Sequence, residues 1–401
     1  MRPAVVFIML TIMIDAMGIG LMMPVMPDLI REVNGGDLSQ AALWGGILST
    51  SFAMMQFLFG PVVGGLSDRF GRKPVLLISL VVMTADYVVM ALAGSIWLLL
   101  AGRIVGGITA ATQSTAYAYM ADISASEDRT KNFGLIGAAF GAGFVMGPLF
   151  GGLLAEFGSR APFWAAAGLA SGNALLGWIV VRETITRDKA RAFDWRRANP
   201  FGVIRQLGKL PGVHQLLMVY FLYHVAFAVY PSVWAYFGTE RFDWSPAMIG
   251  LSLGLFGVSM VLVQAGVIRV ALKWAGERGT VVWGFMFAVV GYFALSFVTS
   301  GPVALILTPL AALAGVAPPA LAGLMSLRVA DNEQGELQGA LTSATSLAMI
   351  VSPLAMTMTF ARFTGPDAPV YFPGAPFLLA CGLSLLALIT FVLRRRRPKL
   401  P

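Results

Sequence analysis

Charge is scarce in this chain. Asp, Glu, Lys and Arg make up 12% of its 401 residues and apolar residues 57%, against roughly 25% and 45–50% in a soluble globular domain. That balance excludes a soluble enzyme. At about 20 residues per membrane-spanning helix, the apolar content fills close to twelve spans and leaves almost nothing for an aqueous domain. Cysteine is nearly missing: Cys381 stands alone, which excludes a disulfide framework, a cysteine-built zinc site and a cysteine-ligated iron–sulfur cluster. The two histidines, His214 and His224, have no carboxylate or second histidine at metal spacing, and no Walker-type phosphate loop occurs. Neither a resident metal or other cofactor, nor ATP-driven pumping, is expected. The alternating polarity of barrel strands is also lacking.

What is present is a series of apolar runs, at about residues 4–27, 43–64, 74–94, 97–120, 133–155, 162–181, 213–237, 247–271, 280–299, 303–327, 336–361 and 374–393. The expected fold class is an all-α membrane protein with twelve transmembrane helices. No small-residue cleavage site follows Arg2 before Pro24 and Pro27, so the first run reads as a retained helix. With both termini placed in the cytoplasm, all of the 28 Lys and Arg residues except Arg31, Arg103, Arg160, Arg241 and Arg362 fall on the cytoplasmic side. This is the positive-inside asymmetry of a multi-pass inner-membrane protein, and it accounts for the net charge of +8 without nucleic acid. The Arg394 to Arg397 cluster reads as a C-terminal anchor to anionic headgroups.

The longest polar segment divides the chain into a six-helix bundle over 1–181, a cytoplasmic linker over 182–212, and a second six-helix bundle with a short basic tail over 213–401. The halves look like repeats. At a common offset of 205 residues, Gly71 falls on Gly276, Lys73 on Arg278, Asp128 on Glu333, Gly134 on Gly339 and Pro148 on Pro353. Repeats with a site at their interface are a hallmark of secondary transporters.

Three motifs carry chemistry. The loop after the second run contains Gly65, Asp68, Arg69, Gly71, Arg72 and Lys73; its glycines allow a tight reversal, and Arg72 can reach a carboxylate at a neighbouring helix end, such as Asp122. This loop resembles the signature loop of the major facilitator superfamily. The resemblance implies two pseudo-symmetric six-helix bundles that rock around a central cavity, with this cluster latching the cytoplasmic side. In the fifth run, Gly143, Gly147 and Gly151 recur every four residues beside Pro148 and Gly152. Read alone, they form either a generic packing face or a family motif, and they resemble the superfamily's antiporter motif. With Asp15 to Pro27, Ala85-Asp86-Tyr87 and Gly102 to Gly107, the chain closely resembles the tetracycline-efflux branch of drug/proton antiporters. That resemblance implies export of a small amphipathic drug in exchange for protons, with Mg2+ travelling beside the substrate left open. The same fold exporting an endogenous metabolite is the alternative.

The rarest feature points to the same residues without any resemblance. Asp15, Asp86 and Arg103 are the acidic and basic residues that sit well inside apolar runs, where a charge is expensive and is a functional-site hypothesis by default. Two acids and one base can form an ion pair and leave a carboxylate able to bind and release a proton; a static structural pair is the other reading. The branch's coupling histidine and aspartate on the eighth and ninth helices are matched here by Met260 and Ala288. His224 in the seventh run is then either a partial replacement in coupling or a hydrogen-bonded cavity residue. Expected substrate contacts are Gln56, Gln113, Tyr117, Tyr223, His224, Trp234, Met260, Gln264 and Tyr292, with Asn173, Tyr220 and Tyr230 as further polar candidates. Amides and phenols within an apolar pocket suit an amphipathic ligand rich in oxygen. The expected partners are that small molecule, protons and the lipid bilayer, and the expected form is a monomer.

Overall fold

In a bilayer core every backbone polar group must find its partner inside the protein, so long apolar runs fold as helices. The computed structural model describes residues 3–110, 112–125, 127–185, 193, 212–330 and 333–393, and among these it contains helices and no strand. The first half comprises α1 (Pro3–Met22), α2 (Met26–Asn34), α3 (Leu38–Phe70), α4 (Arg72–Leu92), α5 (Ile96–Thr109), α6 (Thr112–Ile123), α7 (Arg129–Leu154) and α8 (Ala161–Val180). The second comprises α9 (His214–Phe227), α10 (Val229–Phe242), α11 (Pro246–Leu262), α12 (Ile268–Phe297), α13 (Gly301–Ala312), α14 (Ala317–Ser326), α15 (Gln334–Thr364) and α16 (Ala375–Val392).

Prolines open several of these helices, where the missing N–H has no intrahelical acceptor to lose. Asp37 and Ser95 cap the starts of α3 and α5 by accepting the backbone N–H of Gln40 and Leu98. Eleven helical stretches are long and apolar enough to cross a membrane among the described residues. One of them, Pro246–Phe297, has 52 residues; at 1.5 Å per residue it measures about 78 Å, more than two crossings of a bilayer core of about 30 Å. It turns back at Gly276, whose φ of 62° no residue with a side chain adopts cheaply. Twelve crossings result, six in each half.

The repeat is visible in the backbone. Gly71 and Gly276, at equivalent places in the two halves, both have positive φ, of 107° and 62°. Pro148 and Pro353 lie inside the corresponding helices α7 and α15. The halves meet along two pairs of helices that the repeat interchanges, α3 with α15 and α7 with α11.

Among the described residues, the close contacts between the halves gather toward one end. There Gly45 lies under Tyr236, Gly46 beside Thr357 and Gly152 against Gly250, and Thr50 donates to the carbonyl of Ile350 at 3.0 Å. Toward the other end, which carries the Gly64 to Pro74 loop, the halves diverge: Gly60, Gly64, Gly137, Gly141 and Gly266 face open space. The cavity between the halves therefore opens at the loop-bearing end. Of the proposed linker, residues 182–185, 193 and 212 are described; the rest of it, Arg2 and the Arg394 to Arg397 cluster lie outside the described residues.

Candidate functional site

Two of the crossings that border the cavity are interrupted. The α5/α6 crossing breaks at Ala110, where the Gln56 amide donates to the freed carbonyl at 3.3 Å. The α9/α10 crossing breaks at Ala228; the 3-10 turn over Leu313–Val316, which separates α13 from α14, is not part of the cavity lining. Such breaks are tolerated at membrane depth where the backbone is buried in protein or lines a cavity. The cavity has a volume of about 320 Å³ and draws its walls from both halves.

One wall is ionisable. Asp86 of α4 and Arg103 of α5 are buried and paired side chain to side chain. Sequence provides the space: a β-carbon at Gly102 or Gly106 would stand 2.9 Å from an Asp86 carboxylate oxygen. The Arg103 guanidinium also lies 5.0 Å from the centre of the Phe52 ring, a cation–π contact that strengthens away from water. The pair is incompletely satisfied, with Asp86 Oδ1 and Arg103 Nε making no hydrogen bond. Asp15 of α1 lines the same cavity and makes neither a hydrogen bond nor an ion pair among the described residues. Gly18, one turn further along, leaves the room that the Tyr87 hydroxyl fills. The cavity thus holds one neutralised acid with a free oxygen and one acid with no counter-charge, within reach of whatever enters.

The helix bearing Asp15 is held by close backbone contact. A β-carbon on Gly143, Gly147 or Gly151 of α7 would run into the carbonyls of Met13, Met17 and Leu21 on α1. On another face of α7, Gly152 meets Pro246 and Ala247, and the Pro148 carbonyl sits where a Gly250 side chain would be. These small residues therefore pack α7 against α1 within one half and against α11 of the other.

The loop cluster lies within the first half. Arg72 reaches Asp68 at 2.6 Å, Asp122 at 3.2 Å and the Ser67 hydroxyl at 3.1 Å. Lys73 donates to the Trp178 carbonyl at 2.9 Å, and Arg69 stacks 5.1 Å from the Phe70 ring centre. Gly65 faces the Phe193 ring of the linker, 3.0 Å from where its β-carbon would be. Sequence reasoning missed the clasp from the linker's start. The Glu183 carboxylate accepts the backbone N–H of Arg72 at 2.9 Å and of Lys73 at 3.1 Å, and Thr184 donates to Asp122 at 2.9 Å. Glu183 lies 111 residues from Arg72, so no local signal marks the pairing; once the fold brings it there, an acid at the N-terminus of α4 is favourable.

Asp15, Gln56, Asp86, Arg103 and Gln113 come together around the cavity; Tyr117, Tyr223, His224, Trp234, Met260, Gln264 and Tyr292 do not line it. Tyr223, Trp234 and Tyr292 are buried in an aromatic cluster with Phe256, Phe285 and Phe377, and Trp234 donates its indole N–H to Ser252 at 2.8 Å. His224 packs against Tyr220 and Tyr223 at centroid distances of 4.5 and 5.4 Å. Tyr117 lies against Phe133, and Met260 reaches Gly315 in the 3-10 turn between α13 and α14. Gln264 is exposed on a π-helical turn over Val263–Val267. Asn173 is buried and accepts from Thr11 at 3.2 Å. The methionine-rich composition suits a pliable cavity without saying which residues form it; Met22, Met23, Met26, Met83, Met90 and Met349 line it, as does Tyr236, which sequence reasoning missed.

A family model of the Major Facilitator Superfamily matches residues 8–353 and 216–401. The chain is 42% identical to the class C tetracycline resistance protein of Escherichia coli, covering 94% of this chain and 95% of that one. It is 38% identical to the class G tetracycline resistance protein of Vibrio anguillarum, covering 95% and 96%. In fold it matches the crystal structure of the nucleoside transporter NupG with a TM-score of 0.76, over 98% of this chain and all (100%) of that one, at 12% identity. The chain belongs to the Major Facilitator Superfamily, a family of membrane transporters and not of enzymes, and within it to the branch of the tetracycline resistance proteins.

Proposed function

We propose that this protein exports a small amphipathic drug of the tetracycline type from the cytoplasm across a bacterial inner membrane, in exchange for protons, by alternating access. The observation that carries the reading is the cavity between the halves, in which Asp15 has no counter-charge and Asp86 keeps an unpaired oxygen beside Arg103. The near full-length likeness to two tetracycline resistance proteins supports the choice of drug.

The excess of Lys and Arg at the loop-bearing end supports a cytoplasmic position for that end, which makes the open cavity the drug-loading state in this reading. Drug enters among Asp15, Asp86 and Arg103, and the halves rock until the loop-bearing end closes and the opposite end opens. A proton arriving from outside neutralises Asp15 or Asp86, which frees the drug and permits return. Discharge of that proton to the cytoplasm completes the exchange. Asp68, Arg69, Arg72, Lys73 and Asp122 latch the cytoplasmic side in the outward-facing state, when the second half swings against them. A single copy contains the whole cavity, so a monomer suffices.

The test is proton release from purified, folded protein on adding tetracycline, run beside Asp15→Asn and Asp86→Asn, with and without EDTA to read any role of Mg2+. Release that vanishes in one variant identifies the coupling acid. Wild-type protein that neither binds tetracycline nor releases a proton would sink the reading. Met260 and Ala288, which put no ionisable group at two coupling positions of the branch, favour a second reading, the same fold exporting a metabolite. Growth of expressing cells in tetracyclines, fluoroquinolones and dyes separates the two.

A further inference from the structure

We infer that Tyr230 and Tyr236 of α10 form the hydrogen-bonding wall that selects the substrate: two fixed phenol donors that read separated oxygen acceptors of an amphipathic ligand. The inference rests on the export reading above and names the chemistry by which its site recognises cargo.

Both side chains line the cavity. Both residues are buried, with 3% and 4% of their surface exposed, and neither hydroxyl makes a hydrogen bond. A buried hydroxyl without a partner is uncommon and costly in a folded protein. Two neighbouring donors on the helix are used. Trp234, between the two tyrosines on α10, donates to Ser252 at 2.8 Å, and Thr239 donates back to the Ala235 carbonyl at 3.0 Å. Among the described residues, Tyr230 and Tyr236 are the fully buried idle donors on α10; Ser232, which also lines the cavity, is half-buried and can meet water there.

Both rings are held in place, as a selecting wall requires. Tyr230 stacks on Phe256 with a centroid distance of 4.3 Å and has Trp234 at 5.4 Å on another side. Tyr236 packs beside Phe360 at 6.2 Å and sets its hydroxyl over Gly45 of the other half, where a β-carbon would collide with it. Six residues of helix put the two Cα atoms about 9 Å apart along the axis and about 120° apart around it, so a ligand needs well-separated acceptors, not one carbonyl, to use both. Across the cavity stand Asp15, Asp86 and Arg103. The complementary molecule has an ionisable or chelating group at one side and separated keto, enol or hydroxyl oxygens at the other, on an otherwise apolar frame. Aromatic donors with two side-chain torsions lose little freedom on binding, which suits selection by preorganisation.

The experiment is proton-driven tetracycline uptake into everted vesicles, with equilibrium tetracycline binding and thermal melting on the purified protein, for Tyr230→Phe, Tyr236→Phe and the double variant. Each single change is expected to raise KM and Kd about three- to tenfold, and the double by about the product. kcat should stay within about twofold, and the melting temperature should not fall, because the oxygen removed has no partner inside the protein. Unchanged KM and Kd in both single variants, with wild-type transport intact, would overturn the wall. So would a loss confined to kcat, which would assign the phenols to rocking and not to recognition. Wild-type protein that neither binds nor transports tetracycline would overturn the export reading and this inference with it, an outcome distinct from failure of the wall alone. Should one variant fail to fold, the other carries the test.

Discussion

The two halves share a backbone plan and divide the chemistry. The first half holds every intramembrane charge, with Asp86 paired to Arg103 and Asp15 unpaired. At the offset that relates the halves, Asp86 and Arg103 are answered by Gly291 and Thr308. Gly291 packs 3.3 Å from Ala311 where its β-carbon would be, and Thr308 turns its hydroxyl back to the Ala304 carbonyl at 2.8 Å. The core of the second half is instead aromatic, built around Tyr223, Tyr230, Trp234, Phe256, Tyr292 and Phe377. A repeat thus conserves where helices bend and touch while its members specialise, one in charge transfer and one in shape and hydrogen bonding. The same contrast holds at the loops. Asp68 and Arg72 form an ion pair, whereas the matching positions hold Lys273 and Glu277, for which no ion pair occurs among the described residues.

The contrast can be broken most forcefully at its centre. Asp86→Leu leaves Arg103 buried and unpaired, which should abolish tetracycline transport and cost about 3–5 kcal/mol of stability. Adding Arg103→Met should restore the melting temperature without restoring transport; recovery of both would show the pair to be structural. Close packing comes next. Gly250→Val drives a side chain into the Pro148 carbonyl at the junction of the halves, and an overpacked contact of this kind costs typically about 1–3 kcal/mol. Gly254→Ala, whose β-carbon would sit 3.8 Å from Leu149, should be silent in both melting and uptake. At the loops, Asp68→Ala should remove transport while changing stability by at most about 1 kcal/mol, since the pair is partly exposed. Its counterpart Lys273→Ala should leave uptake within about twofold, and a large loss there would mean that the two loops work alike.

The smallest effect lies at the end where the halves touch. Hydrogen bonds from Ser159 and Arg160 hold the Glu32 carboxyl below its ordinary range. A lowered pKa contributes stability that is present above the unfolded-state value and lost as pH falls through the folded one. Glu32→Gln should therefore flatten the acid limb of a melting curve taken below about pH 4.5, the ordinary glutamate value, and leave neutral pH nearly unchanged. An unchanged acid limb would remove this contact from the stability of the closed end.

The fold was legible because a bilayer leaves a chain few options. Apolar runs of the right length must be helices, and even the 52-residue stretch from Pro246 shows its turn as a glycine aligned with Gly71. The ionisable wall was legible for the same reason, since Asp15, Asp86 and Arg103 stand out against an apolar background. The substrate wall was not. On a helix that is apolar all round, composition does not say which face meets the cavity, so Tyr223, Trp234 and Tyr292 read like Tyr230 although packing turns them into the core. Gln264 falls on a π-turn that shifts its helix phase. Tyr236 depends on Gly45, far away in sequence and in the other half.

The methionines around the cavity carry a liability of their own. Met22, Met23, Met26, Met83, Met90 and Met349 present thioethers to a space that opens at one end of the molecule. Soft, unbranched side chains let one pocket accommodate several ligand shapes. The same sulfur atoms accept oxygen, and each sulfoxide would set a polar, chiral group where a deformable apolar one had been. Oxidation of these thioethers is therefore expected to stiffen and polarise the pocket, and uptake measured before and after peroxide treatment checks it.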